Sequence, residues 1–404
     1  MLNAPIKSNV CKKCNDCFRH EENVALFKQH QYHFRCFLCI DCKKQLSHES
    51  FYLDEKLQLD ISNPQVYCEI CYFKRCSSCS ECHQTFTPTS IIIEFQGQEY
   101  HNECIPANAT WVQNGVTVAG GHGYGDATNQ LSHPFGLFVD DDQTVVIADF
   151  GNHRIMQWKN GDTTNGQVVA GGNGAGNRLH QLNLPTDVLI DKDTDSLIIC
   201  EGRRVVRWSR RSGTTKGEIL IDNIDRYGVA MDEQRYLYVS DVGKHEVRRY
   251  KLGEKNGTRV AGGNGEGNGR SQLNVPTYLF VDRQQNVYVS DRENHRVMKW
   301  NKGVKEGIVV AGGQGQGNAL TQLSSPQGIF VDTLGTLYVA DSLNDRVIRW
   351  TQGDKKQDTV IVGGNGRGAG ANQFNVPIGL SFDRQGNLYV VDWNNNRVQR
   401  FSTE

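Results

Sequence analysis

The chain has 404 residues, too many for one ordinary globular core and enough for two or more domains. Lys plus Arg number 44 and Asp plus Glu 45, with no strongly basic segment, so a nucleic-acid phosphate backbone is not the default partner. The opening Met1-Leu-Asn-Ala-Pro-Ile-Lys lacks the apolar run of a signal peptide, and no stretch approaches the roughly 18 apolar residues of a membrane span.

Cysteine is distributed very unevenly. Twelve of the 13 precede residue 105, and only Cys200 stands apart. Thiols grouped at metal-ligand spacing fit a reducing compartment. The expectation is a cytoplasmic protein that does not insert in a membrane, with nucleus and cytoskeleton as further candidate locations. In chain order, residues 1–10 are a tail. Then Cys11-x2-Cys14 leads to His33-x2-Cys36-x2-Cys39-x2-Cys42 and on to Cys68-x2-Cys71. Those are eight soft ligands, enough for two tetrahedral Zn2+ sites with none left over. Such filled sites are structural, because a catalytic zinc keeps one position open. Zinc would supply folding free energy that so short a segment cannot draw from its own core.

The pattern resembles the LIM domain, and 11–75 is read as one. A RING finger is the competitor, but its ligands interleave, whereas here one His opens a run of evenly spaced cysteines. The LIM resemblance implies one zinc on Cys11, Cys14, His33 and Cys36, and another on Cys39, Cys42, Cys68 and Cys71. The 25 residues between Cys42 and Cys68 are more than LIM domains usually have, which suggests an enlarged hairpin around Phe51–Leu59.

A second copy begins at once. A shift of 68 residues lays Cys11 on Cys79, Cys14 on Cys82, His33 on His101 and Cys36 on Cys104, and brings Phe18 onto Phe86 and Phe27 onto Phe95. The same shift leaves Cys17 and Cys76 as spare thiols, and His20, His30, His48 and His83 read as surface residues. The copy stops after Cys104. Residues 76–107 are therefore a half module with ligands for a third zinc: Cys79, Cys82, His101 and Cys104.

From residue 108 the chain repeats with a period of about 49 residues, the range of stacked or radial arrays. One unit reads Ser325-Pro-Gln-Gly-Ile-Phe-Val-Asp332, Leu337-Tyr-Val-Ala-Asp341, Asn344-Asp-Arg-Val-Ile-Arg-Trp350 and Val360-Ile-Val-Gly-Gly. Four short apolar runs divided by Asp, Asn and Gly read as four strands and tight turns. A marker acid recurs at Asp149, Glu201, Asp241, Asp291, Asp341 and Asp392. Six four-stranded units make a six-bladed β-propeller. Segments such as Tyr-Val-Ser-Asp291-Arg-Glu-Asn294-His295-Arg296-Val resemble NHL repeats. The fold class is thus mainly β: an NHL-type six-bladed propeller over 108–404 behind a small LIM-like zinc domain. The last unit has only three strands, and Gly115–Gly121 supplies a matching fourth, so the first strand is expected to complete the last blade. Two units depart from the pattern. The second has a turn two residues shorter at Cys200-Glu-Gly-Arg-Arg204. The third lacks the glycine loop between Ile219 and Tyr227 and has Glu246 where most others have Arg. Drift and a binding site both account for such irregularity.

Two motifs look chemical and read as structural. Gly-Gly-x-Gly-x-Gly recurs at Gly120, Gly171, Gly262, Gly312 and Gly363, at blade period and with no helix start to receive a phosphate, so its glycines serve positive φ in a crossing loop. His153, His245 and His295 share their place in the repeat with Asp345 and Asn396, which is the behaviour of a turn residue. Some propellers of related appearance are lyases or lactonases with His and acidic ligands at the channel. No His falls on the inner strands near Leu137, Val188, Val229, Leu279, Ile329 or Leu380, so no enzymatic activity and no small-molecule substrate are expected. Just ahead of those strands stand Phe135, Asp187, Tyr227, Tyr278, Gln327 and Ile378, candidates to line a channel mouth and grip a partner. The resulting reading is a non-enzymatic zinc-binding adaptor whose LIM-like and propeller surfaces each bind a protein. RNA is the second candidate partner, by analogy with RING-bearing NHL proteins, and a ubiquitin ligase of that lineage is the third reading.

Overall fold

The computed structural model describes residues 109–404 apart from 163 and 352–357, together with the backbone of six short strands between residues 24 and 101. The chain divides into two compact units, Met1–His101 and Asn102–Glu404.

In the first unit the strands form three antiparallel hairpins. Val24–Phe27 pairs with His30–His33, and Ile92–Phe95 pairs with Gln98–His101. The two hairpins coincide under the 68-residue shift, each placing its His opposite the first residue of the other strand: Val24 with His33, Ile92 with His101. The internal repeat read from cysteine spacing is thus also a repeat of backbone. The third hairpin, Phe51–Leu53 with Val66–Cys68, spans the long ligand gap, with Phe51 opposite Cys68. The remaining zinc-ligand positions lie outside the described residues.

The second unit is a ring of six four-stranded antiparallel sheets. The first blade runs outward from Pro134–Val139 through Val145–Asp149 and Arg154–Trp158 to Gln167–Gly171. The innermost strands of the others are Asp187–Asp191, Arg226–Met231, Pro276–Val281, Pro326–Val331 and Pro377–Phe382. Buried side chains of adjacent blades interdigitate. Ile147, Met156 and Trp158 of the first blade pack with Tyr389, Val391 and Val398 of the last. Residues that alternate along one strand therefore serve two interfaces, which is why whole strands such as Leu337–Asp341 are buried throughout.

The ring closes as the repeat count implies. Val116–Gly120 pairs antiparallel with Arg397–Phe401, with Ala119 opposite Val398. The clasp extends further. Val112 N donates to Ser402 O and Glu404 N to Thr110 O, both at 2.9 Å. Trp111, 1% exposed, donates its indole N–H to Gly386 O at 3.1 Å.

A buried clamp explains the marker acid. In the first blade Asp149 accepts from Ser132 N at 2.7 Å, Asn152 Nδ2 at 2.8 Å and Arg154 Nε at 2.7 Å. Arg154 then donates to the carbonyls of Asp126, Ala127 and Gln130, and Asn152 donates to that of Gly125. The Asp–Asn–Arg set thus ties its blade to the glycine loop arriving from the blade before. The same arrangement recurs at Asp291, Asp341 and Asp392. Burial pushes these carboxyls up, while the bonds from Asn, Arg and backbone N–H push back.

The two irregular blades follow from this clamp. The third has no glycine loop, so an arginine there would find no carbonyls. Glu246 stands in its place and pairs with Arg248 at 2.8 Å. The missing loop and the missing arginine are one change. In the second blade the shortened turn has no 3-10 segment and no Asn. Glu201, longer by one methylene than Asp, still reaches both Arg204 and Asn183 N.

The glycine loops carry the conformation expected of them. Gly120, Gly171, Gly262, Gly312 and Gly363 all have φ between 63° and 76°. A Cβ on Gly120 would stand 2.4 Å from the carbonyl oxygen of Asn396, so neither the dihedral nor the space admits another residue.

Candidate functional site

Residues at the channel fall in two registers. Counting back from the turn aspartates Asp140, Asp191, Asp232, Asp282, Asp332 and Asp383, position five holds Phe135, Thr186, Tyr227, Thr277, Gln327 and Ile378. Position four holds Gly136, Asp187, Gly228, Tyr278, Gly328 and Gly379. The six candidate residues therefore lie within the innermost strands rather than ahead of them, and they are not one ring. Asp187 and Tyr278 occupy the glycine register of their blades. The glycines stand where neighbouring strands nearly touch: a Cβ on Gly328 would meet Ile378 O at 2.5 Å, and one on Gly379 would meet Phe135 O at 2.6 Å.

At the starting ends of the innermost strands the rings form a connected track. Phe135 stacks on Phe150 with centroids 4.5 Å apart and contacts Tyr227 at 5.7 Å, and Tyr227 meets Tyr278 edge-on at 5.4 Å. Phe135 also meets Trp393 at 6.3 Å, Trp393 meets His133 at 4.9 Å, and His133 meets Tyr124, which is 66% exposed. Phe150, Trp393, His133 and Tyr124 were missed from sequence. They come from 3-10 turns and from the loop into the first blade, and only the ring closure brings the sixth blade's Trp393 beside the first blade's Phe135. Gln327 and Ile378 are buried.

Phe150 also borders a groove of about 630 Å3 on the second blade, lined by Asn177, Asn183, Leu184, Arg203 and Ile219. This is the blade whose shortened turn lacks the Asn side chain that bridges acid and loop elsewhere. The groove is lined by Gly202 and Arg203 of that shortened turn and touches the aromatic track at Phe150.

Asp187 is the unusual charge. Its carboxylate accepts from Val188 N at 3.0 Å and from Val229 N of the next blade at 2.9 Å. Burial lifts its pKa from 3.8 to about 7, against the pull of these two backbone bonds. Between about pH 4 and about pH 7 the folded chain thus keeps a proton that the unfolded chain releases. Stability from this group is full below the unfolded value and is lost as pH rises through the folded one. We expect urea unfolding of the wild type, relative to Asp187→Asn, to lose about 2 kcal/mol between pH ~5 and ~7 and then level off. Parallel pH profiles for the two proteins would refute the assignment.

The position filled by His153, His245, His295, Asp345 and Asn396 is left-handed, with φ between 50° and 54°, as a turn residue should be. It does one thing more. His153 Nδ1 accepts from Leu184 N at 3.0 Å, Asp345 Oδ1 from Val376 N and Asn396 Oδ1 from His133 N, both at 2.8 Å. The shared requirement is an acceptor reaching the first residues of the next blade, which is why these three residue types interchange.

Comparison with known proteins agrees with this architecture. The LIM domain family matches residues 11–76, and the NHL repeat family matches residues 374–401. Residues 11–76 are a LIM domain. Four and a half LIM domains protein 5 of Bos taurus is 33% identical to this chain over 100 residues, and human Four and a half LIM domains protein 2 is 28% identical over 98. Each match covers 24% of this chain and 32% of the relative, so the chain spans about a third of the length of these relatives. The match is to the LIM domain, the reading preferred over a RING finger. Zinc is the metal typical of LIM domains, and the repeated hairpins ending in His33 and His101 suit that donor set.

The propeller's likeness to solved structures is one of fold. A protein of unknown function from Bacteroides thetaiotaomicron aligns with TM-score 0.60 at 16% identity, covering 88% of this chain and 90% of that one. An auxiliary nutrient binding protein of the same organism aligns at 0.57 with 15% identity, covering 77% and 81%. A gluconolactonase from Xanthomonas campestris aligns at 0.51 with 14% identity, covering 74% and 99%. Among the described residues no helix is long and apolar enough to cross a membrane.

Proposed function

We propose that this protein is a zinc-dependent, non-enzymatic adaptor of the cytoplasm that holds one protein partner on its LIM region and another on its propeller. The single observation that carries the propeller half is the aromatic track from Tyr124 through Trp393, Phe135 and Phe150 to Tyr227, running into the groove beside Arg203. Aromatic rings on a rigid frame give large contact area with little entropy to lose, and the groove offers an extended segment a path across the second blade. On this reading Cys11, Cys14, His33 and Cys36 hold one zinc, Cys39, Cys42, Cys68 and Cys71 a second, and Cys79, Cys82, His101 and Cys104 a third. Covalent linkage of the two modules raises the effective concentration of one partner near the other.

The test is capture of partners from cell extract on the zinc-loaded full chain, on Phe150→Ala and Trp393→Ala, and on chain stripped of zinc by a chelator, each with and without ribonuclease. We expect one set of proteins to be lost with the aromatic variants and another with zinc, both resisting ribonuclease. Partners unaffected by all three changes would sink the adaptor reading. Partners that vanish with ribonuclease would move the function to RNA.

A further inference from the structure

A cavity of about 600 Å3 runs along the propeller axis, walled by the apolar side chains Leu137, Val188, Val229, Leu279, Ile329 and Leu380. It opens where the innermost strands finish, beside the turn acids Asp141, Asp232 and Asp383, away from the aromatic track. Asp187 and Tyr278 line its other end, projecting from the register that four blades fill with glycine.

Both side chains are more than nine-tenths buried, at 8% and 6% exposure. The Tyr278 hydroxyl has no hydrogen-bond partner. Asp187 receives one backbone N–H on each oxygen, which leaves each oxygen further accepting capacity and its charge uncompensated. The cations at the open end are engaged elsewhere: Lys192 and Arg384 both pair with Asp141. The other titratable groups around the Asp187 carboxyl are Tyr227, Tyr278 and Cys200, and Arg292 acts on Tyr227. None of the three is cationic.

We propose that this channel binds a small amphipathic organic cation, a primary ammonium on an apolar stem, with the ammonium on Asp187 and Tyr278 and the stem against the leucine, valine and isoleucine walls. An anionic ligand would meet a carboxylate with no cation to offset it. A neutral one would leave the buried charge uncompensated, whereas an ammonium supplies both the charge and the hydrogen-bond donors. Because burial holds Asp187 near neutrality, the ion pair forms above about pH 7 and weakens as Asp187 takes up its proton below. The site meets the aromatic track at Tyr278, whose ring lies 5.4 Å from that of Tyr227, but Phe150 and Trp393 are not part of its lining, so the partner-capture variants and the ammonium titration report on the two readings independently.

Calorimetric titration of the zinc-loaded full chain with n-pentylammonium, n-pentanol and n-pentanoate tests the proposal. We expect the ammonium to bind roughly tenfold or more tighter than the alcohol at about pH 8, the carboxylate to bind weakest, and the ammonium's advantage to shrink at about pH 6. Tyr278→Phe removes a hydroxyl that makes no hydrogen bond, so it should melt like the wild type, weaken the ammonium several-fold and leave the alcohol unchanged. Asp187→Asn should erase the preference. Equal binding of ammonium and alcohol, no saturable binding of any probe, or an ammonium preference that survives Tyr278→Phe at full strength would overturn the proposal. The tyrosine variant decides the matter if the asparagine variant does not fold.

Discussion

Deleting residues 110–121 is expected to unfold the propeller rather than trim it. The segment supplies the outermost strand of the sixth blade, pairing Val116–Gly120 with Arg397–Phe401. Without it Arg397–Phe401 becomes an edge with unpaired N–H and C=O groups, and the packing around fully buried Val398 and Phe401 opens to water. Trp111 goes as well, with its bond to Gly386 and its ring contacts to Tyr338 and Phe382 at 6.1 Å. A buried Trp alone is worth about 3–5 kcal/mol when truncated, against a typical total stability of about 5–15 kcal/mol. The damage cannot stay local, because the sixth blade also packs on the first through Tyr389, Val391 and Val398. The check is far-UV circular dichroism with thermal melting of the deleted chain. A cooperative melt within a few degrees of the full chain would show that closure by the first strand is dispensable.

Arg346→Leu is expected to cost about 3–5 kcal/mol, although the residue touches no proposed ligand or partner. Its guanidinium lies buried and donates to Asp341 at 2.7 Å and to the carbonyls of Asn318, Ala319 and Gln322 at 2.8–3.2 Å. Removing it strands a fully buried carboxylate and takes the donor from three loop carbonyls, which costs more than the pair itself contributes. The third blade provides the control. Lys251 pairs with Glu254 at 3.4 Å with both side chains more than half exposed, and Lys251→Ala should cost less than about 1 kcal/mol. Urea unfolding of the two variants measures the contrast. Equal effects would mean that the clamp does not hold the ring together.

The clamp also shows how closely the functional surface is tied to the scaffold. Where Asp, Asn and Arg are all present, the loop between blades is held down and the disc face is regular. Where the Asn is absent and the turn is shortened, in the second blade, Gly202 and Arg203 line the groove beside Phe150. In the third blade loop and arginine are absent together, and the junction is held instead by Ile224 N donating to Arg203 O at 3.1 Å. The irregular sector adjoins the aromatic track, and the regular sectors supply its rigid frame.

Much of this protein was legible in one dimension because its signals are local and repeated. Cysteine spacing determined the LIM reading, since four ligands around one small ion tolerate few arrangements. The 68-residue shift exposed an internal repeat, and the hairpin registers of its two copies match residue by residue. Blade count, strand order and closure followed from a short period, because each unit carries its own turn residues and apolar alternation. The conformational reading of the glycines and of the His/Asp/Asn position held for the same reason: positive φ is a property of one residue and its neighbours.

Distance in the chain hid the rest. The channel residues were misaligned by one register in two blades, because Asp187 and Tyr278 break the glycine pattern that marks the inner strand. Only the packed ring shows that a Cβ at that register points toward a neighbouring blade or into the channel. The aromatic track joins Phe135 to Trp393, 258 residues away, a contact created by ring closure and invisible to any local window. The uncompensated charge of Asp187 is likewise a tertiary fact. A sequence states that an acid is present, but whether a cation lies near it, and whether water can reach it, depends on six strands arriving from six blades. Local geometry is written in neighbouring residues, whereas electrostatic environment is a sum over everything the fold brings close.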